Sequence, residues 1–274
     1  MKNIILCTLA CVFFIFSVKN LKGQQSSSNV EEMSKTAANP IANIISFPFQ
    51  NNIYSGIGPF DRTQNVLNIQ PVLPLMEGKI ITRTIFPVVW IPNPATEDEM
   101  WSTGLADILF TAFYVPPASG NAILGVGGAL EIPTGGEKRG TQKWSLGPSV
   151  VALVQPGDWT LGLLANNIWS FAGNSDRAAV NKMLLNLFIA YQLGDGWYVN
   201  SIPIIKANWK ADSGQQWTVP VGAGFGKLSF FGKLPVNVQV GAYKNVEKPD
   251  NGPDWEYRVQ IQTFLPLSIF SGEN

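Results

Sequence analysis

The stretch "GWYVNSIPIIKANWKADSGQQWTVPVGAGFGK", residues 196–227, decides the fold. Either side of "KADSGQQ", alternate positions are almost all apolar: Trp197, Val199, Pro203, Ile205, Ala207 and Trp209, then Trp217, Val219, Val221, Ala223 and Phe225. The positions between them are mixed, with Tyr198, Asn200, Lys206 and Asn208 in the first run and Thr218 and three glycines in the second. Period two is the mark of a half-buried strand. In a soluble sheet the apolar face meets a core and the polar face meets water. Which face is inside here has to be read from the rest of the chain.

From about residue 45 onward, period two persists to the end. Twelve strands are expected, at 45–55, 63–73, 79–91, 104–115, 121–132, 143–155, 158–171, 182–193, 196–210, 215–229, 234–246 and 254–267. The connections alternate in character. "PLMEGK", "PPASGN", "PGD", "GDG" and "FFGKLP" are short, whereas "GIGPFDRT", "PNPATEDEMWST", "PTGGEKRGTQ", "AGNSDRAAVN", "KADSGQ" and "EKPDNGPD" are longer and more polar. Short turns at one rim and long loops at the other characterise transmembrane β-barrels, and an even strand count puts both termini on the short-turn, periplasmic side.

The tryptophans assign the faces. Trp90, Trp101, Trp144, Trp169, Trp209, Trp217 and Trp255 fall at strand ends beside the long loops, and Trp159 and Trp197 at strand starts after short turns. Indoles favour the headgroup layer, so barrels carry aromatic girdles at both interfaces. A soluble sandwich would bury some tryptophans mid-strand. The indole-bearing face is therefore expected to meet lipid and the Lys206 face to line a lumen. The last strand follows the same rule, with Trp255, Tyr257, Val259 and Ile261 outward and Glu256, Arg258, Gln260 and Gln262 inward. The fold class expected is an all-β, antiparallel up-and-down barrel of about 12 strands over residues 45–274.

The N-terminus reads as an export signal. Lys2 precedes an uncharged apolar run at 4–18, which is short for a membrane helix, and a polar exit follows at Gly23. Removing residues 1–23 takes Lys2, Lys19, Lys22, Cys7 and Cys11, so 19 basic residues become 16 against 19 acidic ones and no cysteine remains. Such a chain holds its fold without disulfides. Residues 24–44 are expected to form a periplasmic tail or a short plug helix, "NVEEMSKTAAN" at 29–39 offering Asn29 as a cap and Pro40 as a stop.

Histidine is absent throughout, which removes Ser-His and Cys-His catalysis and most histidine-based metal sites. Glu97, Asp98 and Glu99 read as a solvated charge run, and "DSGQQ" and "NSDR" lack the spacing of an ion-binding loop. No enzyme activity, cofactor or metal is expected. With no basic stripe, nucleic acid is not an expected partner. The expected partners are the lipid bilayer and a small-molecule solute.

Parity gathers Asn68, Gln70, Arg83, Asp107, Glu131, Asn166 and Asn186 on the inner face, then Lys206, Asn208, Asn237, Gln239, Glu256 and Arg258. The charged members either neutralise one another in a sealed interior or line a polar path, and their mixed signs favour neutral or zwitterionic solutes. Inward glycines, Gly125, Gly127, Gly147, Gly162, Gly222, Gly224, Gly226 and Gly241, make room for bulky neighbours such as Tyr198 or Phe188, or mark bends.

Five stretches carry a resemblance: "NPIANIISFPFQNN" (39–52), "LNIQPVLPL" (67–75), "TRTIFPVVWIP" (82–92), "GPSVVALVQPGDWTLGLLANNIWSFAG" (147–173) and "WKADSGQQWTVPVGAGFGK" (209–227). They resemble a family of bacterial outer-membrane proteins labelled transporter or, misleadingly, neuromedin U, and are distantly similar to barrels of phenol-degradation pathways. The resemblance implies an outer-membrane barrel admitting small, aromatic or hydrophobic compounds, and brings no catalytic residues. The function expected is passive passage of small solutes across the outer membrane of a Gram-negative-type cell. The alternatives are a non-conducting structural or surface-binding barrel and a soluble exported β-sandwich.

Overall fold

The computed structural model describes residues 27–117 and 122–265; the expected export signal lies outside the described residues. A helix α1, Ser27–Ala37, precedes the sheet. Twelve strands follow: β1 (Ile45–Ile57), β2 (Arg62–Ile69 continued by Val72–Leu75), β3 (Ile80–Pro92) and β4 (Met100–Leu105 continued by Ile108–Tyr114). Then come β5 (Ala122–Ile132), β6 (Lys143–Val154), β7 (Trp159–Gly173) and β8 (Asn181–Gly194). The wall ends with β9 (Trp197–Ser201 continued by Ile204–Asn208), β10 (Trp217–Phe231), β11 (Leu234–Glu247) and β12 (Trp255–Leu265).

Every strand pairs antiparallel with its neighbour in sequence, and β1 pairs with β12 from Ile45 opposite Leu265 to Ser55 opposite Trp255. The sheet is closed. Closure leaves no unpaired edge, the condition for strands to cross hydrocarbon. Two of the three strand interruptions fall at prolines, Gln70–Pro71 and Ile202–Pro203, because proline has no N–H for the ladder. The third is at Ala106–Asp107.

The expected strands are all present, with local differences at the long-loop rim. β1 and β2 run further than expected, leaving a tight connection at 58–61, and Met100 and Trp101 belong to β4 rather than to a loop. The next loop, at 93–99, is not free. Buried Arg62 donates to Thr96 O at 2.5 Å and to Glu99 O at 3.0 Å, fastening it.

The faces are inverted relative to a water-soluble sheet, which answers the question posed by residues 196–227. Large apolar side chains stand exposed on the outside, Val126 at 57 % and Val221 at 58 % among them. Inside, Gln50, Asn52, Asn186, Asn237, Glu256 and Arg258 are buried. A continuous apolar exterior on a water-borne protein would be an association hazard, whereas against lipid it is the required surface. Among the described residues no helix is long and apolar enough to cross a membrane.

The outward register is testable at Val150, exposed midway along β6. Val150→Arg is expected to destabilise the barrel by about 2–4 kcal/mol in vesicle-based urea unfolding, and Val154→Arg, at the strand end, by about 0–1 kcal/mol. Equal costs at the two positions would contradict the depth assignment.

Candidate functional site

The lumen is built in tiers. At the short-turn end, Ile41, which follows α1, is 3 % exposed inside an apolar cluster with Val72, Ile81, Phe113, Val151, Leu164 and Phe188. Glycine creates that seat: a Cβ on Gly125 would lie 2.7 Å from Val151 Cγ1 and 3.3 Å from Ile41 Cδ1. Helix α1 is tied to the wall by hydrogen bonds. Buried Ser34 Oγ donates to Gln192 Oε1 at 2.7 Å, and Gln155 Nε2 donates to Lys35 O at 2.9 Å. The helix begins at Ser27, so Asn29 lies within its first turn rather than capping it.

Across from the apolar cluster, a polar network fills the β9–β12 side. Arg258 Nη2 donates to Glu256 Oε1 at 2.6 Å, Nη1 to Ile202 O at 2.8 Å and Nε to Asn52 Oδ1 at 3.2 Å. Its guanidinium lies 5.0 Å from the Tyr243 ring centroid, and the Tyr243 hydroxyl accepts the Ile202 N–H at 3.2 Å. The break in β9 at Ile202–Pro203 thus has its freed backbone groups satisfied from inside the lumen. Such satisfaction is what makes a ladder interruption tolerable at membrane depth. Nearby, Tyr198 donates to Asn237 Oδ1 at 2.9 Å. Its hydroxyl occupies the space above Gly226, where a Cβ would overlap it.

Three cavities succeed one another along the axis. The mouth, about 730 Å³, opens at the long-loop rim between Gln64, Glu131, Arg139, Arg177, Lys182 and Lys206. A middle cavity of about 430 Å³ shares Gln64, Asp107 and Lys206 with the mouth. A constriction of about 90 Å³ shares Gln50, Gln70, Arg83 and Asn186 with the middle cavity and is bounded by residues 37–40.

The candidate residues occupy distinct places along this line. Arg83 borders the middle cavity and the constriction, and donates from Nη2 to Gln70 Oε1. Asp107, at the β4 break, accepts the N–H groups of Gly135 at 2.9 Å and Thr141 at 2.6 Å, with the Thr141 hydroxyl at 2.9 Å. Glu131 pairs across the mouth with Lys182 at 2.5 Å. Lys206 lies 5.3 Å from the Tyr54 ring centroid. Among the charged candidates only Glu256 and Arg258 pair with each other. Mutual neutralisation of all six is therefore corrected: loop backbone and Lys182 take up two of the acids. Asn208 keeps the inward parity of Lys206 at a greater height. It is exposed at the rim, accepts the Lys210 N–H at 3.1 Å, and lines none of the three cavities.

Of the tryptophans, Trp144, Trp159, Trp169, Trp209, Trp217 and Trp255 are exposed near strand ends, and Trp90 and Trp197 are half-buried there. Trp209 and Trp217 meet edge to face at 5.2 Å, and Lys227 Nζ lies 4.7 Å over Trp197. Trp101 differs. It borders the mouth, with Lys138 Nζ 5.9 Å from its ring. Residues not singled out from sequence include Gln50, Asn52 and Tyr54 on β1 and Lys182 on β8. The same period-two rule applied to "FPFQNNIYS" points to the first three. Among the described residues, no group of three or more acidic, cysteine or histidine side chains could hold a metal ion.

These features define the class: a closed antiparallel barrel of the outer-membrane type, with an apolar exterior and a tiered polar lumen. No protein-family model matches the chain, and no curated protein matches it in sequence. Solved structures do match in fold. An outer membrane channel from Pseudomonas putida F1 superposes with TM-score 0.57 at 18 % identity, covering 81 % of this chain and 93 % of that one. The NanC porin gives TM-score 0.53 at 8 % identity, covering 81 % and 100 %. The outer membrane phospholipase A of Escherichia coli gives 0.42 at 11 %, covering 85 % and 98 %.

Proposed function

We propose that this barrel is an outer-membrane channel for the passive passage of small solutes. The observation that carries the reading is the sharing of wall residues between successive cavities, which makes one polar route from the long-loop rim down to residues 37–40. The names of two structures that it resembles in fold, a channel and a porin, support it. In this reading residues 1–23 are a cleaved export signal. The short-turn rim and α1 face the periplasm, and the exposed tryptophans lie in the two headgroup layers. Arg83, Asp107, Glu131, Lys206, Glu256 and Arg258 line or brace the route. Apolar wall residues such as Ile85, Leu109 and Leu164 suit solutes with an apolar body. The reading is of a non-catalytic protein, in keeping with a chain that has no histidine.

Purified protein in planar bilayers is expected to give discrete conductance steps. The narrowness of the constriction favours one competing reading, a barrel sealed by its own N-terminal segment. Absence of both conductance and solute flux across repeated preparations would establish that reading and remove transport.

A further inference from the structure

We propose that the middle cavity binds a small organic monocarboxylate, its acid group held by Arg83 and drawn inward past Lys206. The inference takes its route from the channel reading, but the site stands on the cavity itself. Basic residues outnumber acidic ones at both ends of the route and balance them in the middle. The mouth is lined by five basic residues, Lys138, Arg139, Arg177, Lys182 and Lys206, against three acidic ones, Asp107, Glu131 and Glu137. The middle cavity has Arg83 and Lys206 against Asp107 and Glu256. The constriction has Arg83 and Arg258 and no acid at all.

Three of the four acids are already engaged. Glu256 is held by Arg258 at 2.6 Å, Glu131 by Lys182 at 2.5 Å, and Asp107 by the donors of Gly135 and Thr141. Of the two cations bracketing the middle cavity, Lys206 sits against Tyr54 and is attracted by the Glu256 carboxylate, whereas Arg83 has no acid beside it. Among the described residues neither Arg83 nor Lys206 has a carboxylate within 4.0 Å, and Arg83 donates to the neutral amide of Gln70. A guanidinium withdrawn from bulk water with one neutral acceptor is an incomplete arrangement, and its planar fork matches a carboxylate with two parallel N–H···O bonds. Mixed signs in the sequence suggested neutral or zwitterionic solutes; the observed pairing leaves the unspent charge positive.

The surroundings define the remainder of the ligand. In the ladder Arg83 stands opposite Thr111, and the next inward pair, Ile85 opposite Leu109, is apolar. On the facing wall, Asn186 is flanked by Leu164 and Ile204. The buried Oδ1 of Asn186 has no partner in the protein, leaving an acceptor for a ligand hydroxyl or a water. At about 430 Å³ the cavity falls in the size range of small-ligand sites, roughly 300–1,000 Å³. A single carboxylate on a compact apolar body fits the cation at the base and the aliphatic walls above it.

Equilibrium dialysis of the detergent-purified barrel against radiolabelled benzoate, benzamide and benzylamine tests the site without requiring transport. Benzoate is expected to bind saturably, at least about tenfold tighter than benzamide, since a charge-assisted bidentate contact is lost with the acid. Arg83→Gln is expected to remove that difference, and Lys206→Gln to weaken benzoate binding by less. Equal binding of benzoate and benzamide, or displacement of benzoate by equimolar chloride, overturns the carboxylate assignment. If Arg83→Gln fails to fold, Arg83→Lys keeps the charge without the fork, and unchanged benzoate affinity in it overturns the bidentate role. In bilayers under a KCl gradient the wild type is expected to prefer anions, and the double variant to lose that preference. Conductance with cation preference refutes the anion site and leaves the channel standing. Benzoate binding without any conductance refutes the channel and leaves the site.

Discussion

Deleting residues 27–42 is expected to raise single-channel conductance several-fold while the barrel still folds. The section with the least open space is expected to limit conduction, and of the three cavities that is the one of about 90 Å³, bounded on one side by residues 37–40, beneath a cavity of about 430 Å³. Folding should survive because the closing ladder between β1 and β12 begins at Ile45, after the deleted segment. The deletion also exposes the seat of Ile41, an apolar cluster that would then face water or the incoming solute. Ile41→Asp provides the same test without shortening the chain. A carboxylate among Val72, Ile81, Phe113 and Phe188 costs several kcal/mol unless it leaves. The bonds from Ser34 and to Lys35, each contributing about 0.5–1.5 kcal/mol, cannot hold the segment against that. Both variants should therefore show raised and noisier conductance. Unchanged conductance in both would mean that the N-terminal segment does not set the bottleneck.

Arg258→Met is expected to destabilise the barrel by about 3–5 kcal/mol in equilibrium unfolding, the usual cost of removing one partner from a buried ion pair. Arg258 and Glu256 are 2 % and 3 % exposed, so the Glu256 carboxylate would be stranded. Two further groups lose their donor: Ile202 O, at the break in β9, and Asn52 Oδ1. Glu256→Leu alone should be similarly costly, because it leaves the guanidinium uncompensated. The double variant Glu256→Leu/Arg258→Met should be less destabilised than the sum of the singles, since no charge is then left without its counterpart. Additive losses would show that the two side chains act separately and that the 2.6 Å contact contributes little.

Much of the wall is legible from the chain alone. A strand has period two, lipid tolerates no mid-depth charge, and "WEYRVQIQ" obeys both constraints in eight consecutive letters from Trp255. The same rule places Asn166, Asn186, Asn237 and Gln239 on the inner face, where they are buried. It is weaker at interruptions. Asn208 keeps the inward parity of Lys206 but stands at the rim, because parity gives direction and says nothing of height. Trp101 lies beyond the Ala106–Asp107 break, so an indole counted with the girdles borders the mouth instead. The choice between tail and plug at residues 24–44 was equally beyond local pattern. The approach of Ile41 to Gly125 and Phe113, from a distant part of the chain, is a contact no local pattern reveals.

What the sequence determined by itself was the closed antiparallel wall, its apolar exterior, its polar interior and its lack of histidine chemistry. These follow from alternation, turn spacing and composition, which are properties of neighbouring residues. Only the tertiary structure decided how the interior charges are spent. Glu131 on β5 meets Lys182 on β8, Asp107 is claimed by a loop backbone, and Arg83 is left with the neutral amide of Gln70. Those outcomes depend on which strands face one another across the lumen and at what stagger. Period two fixes the side of the wall a residue occupies; curvature and register fix whom it meets.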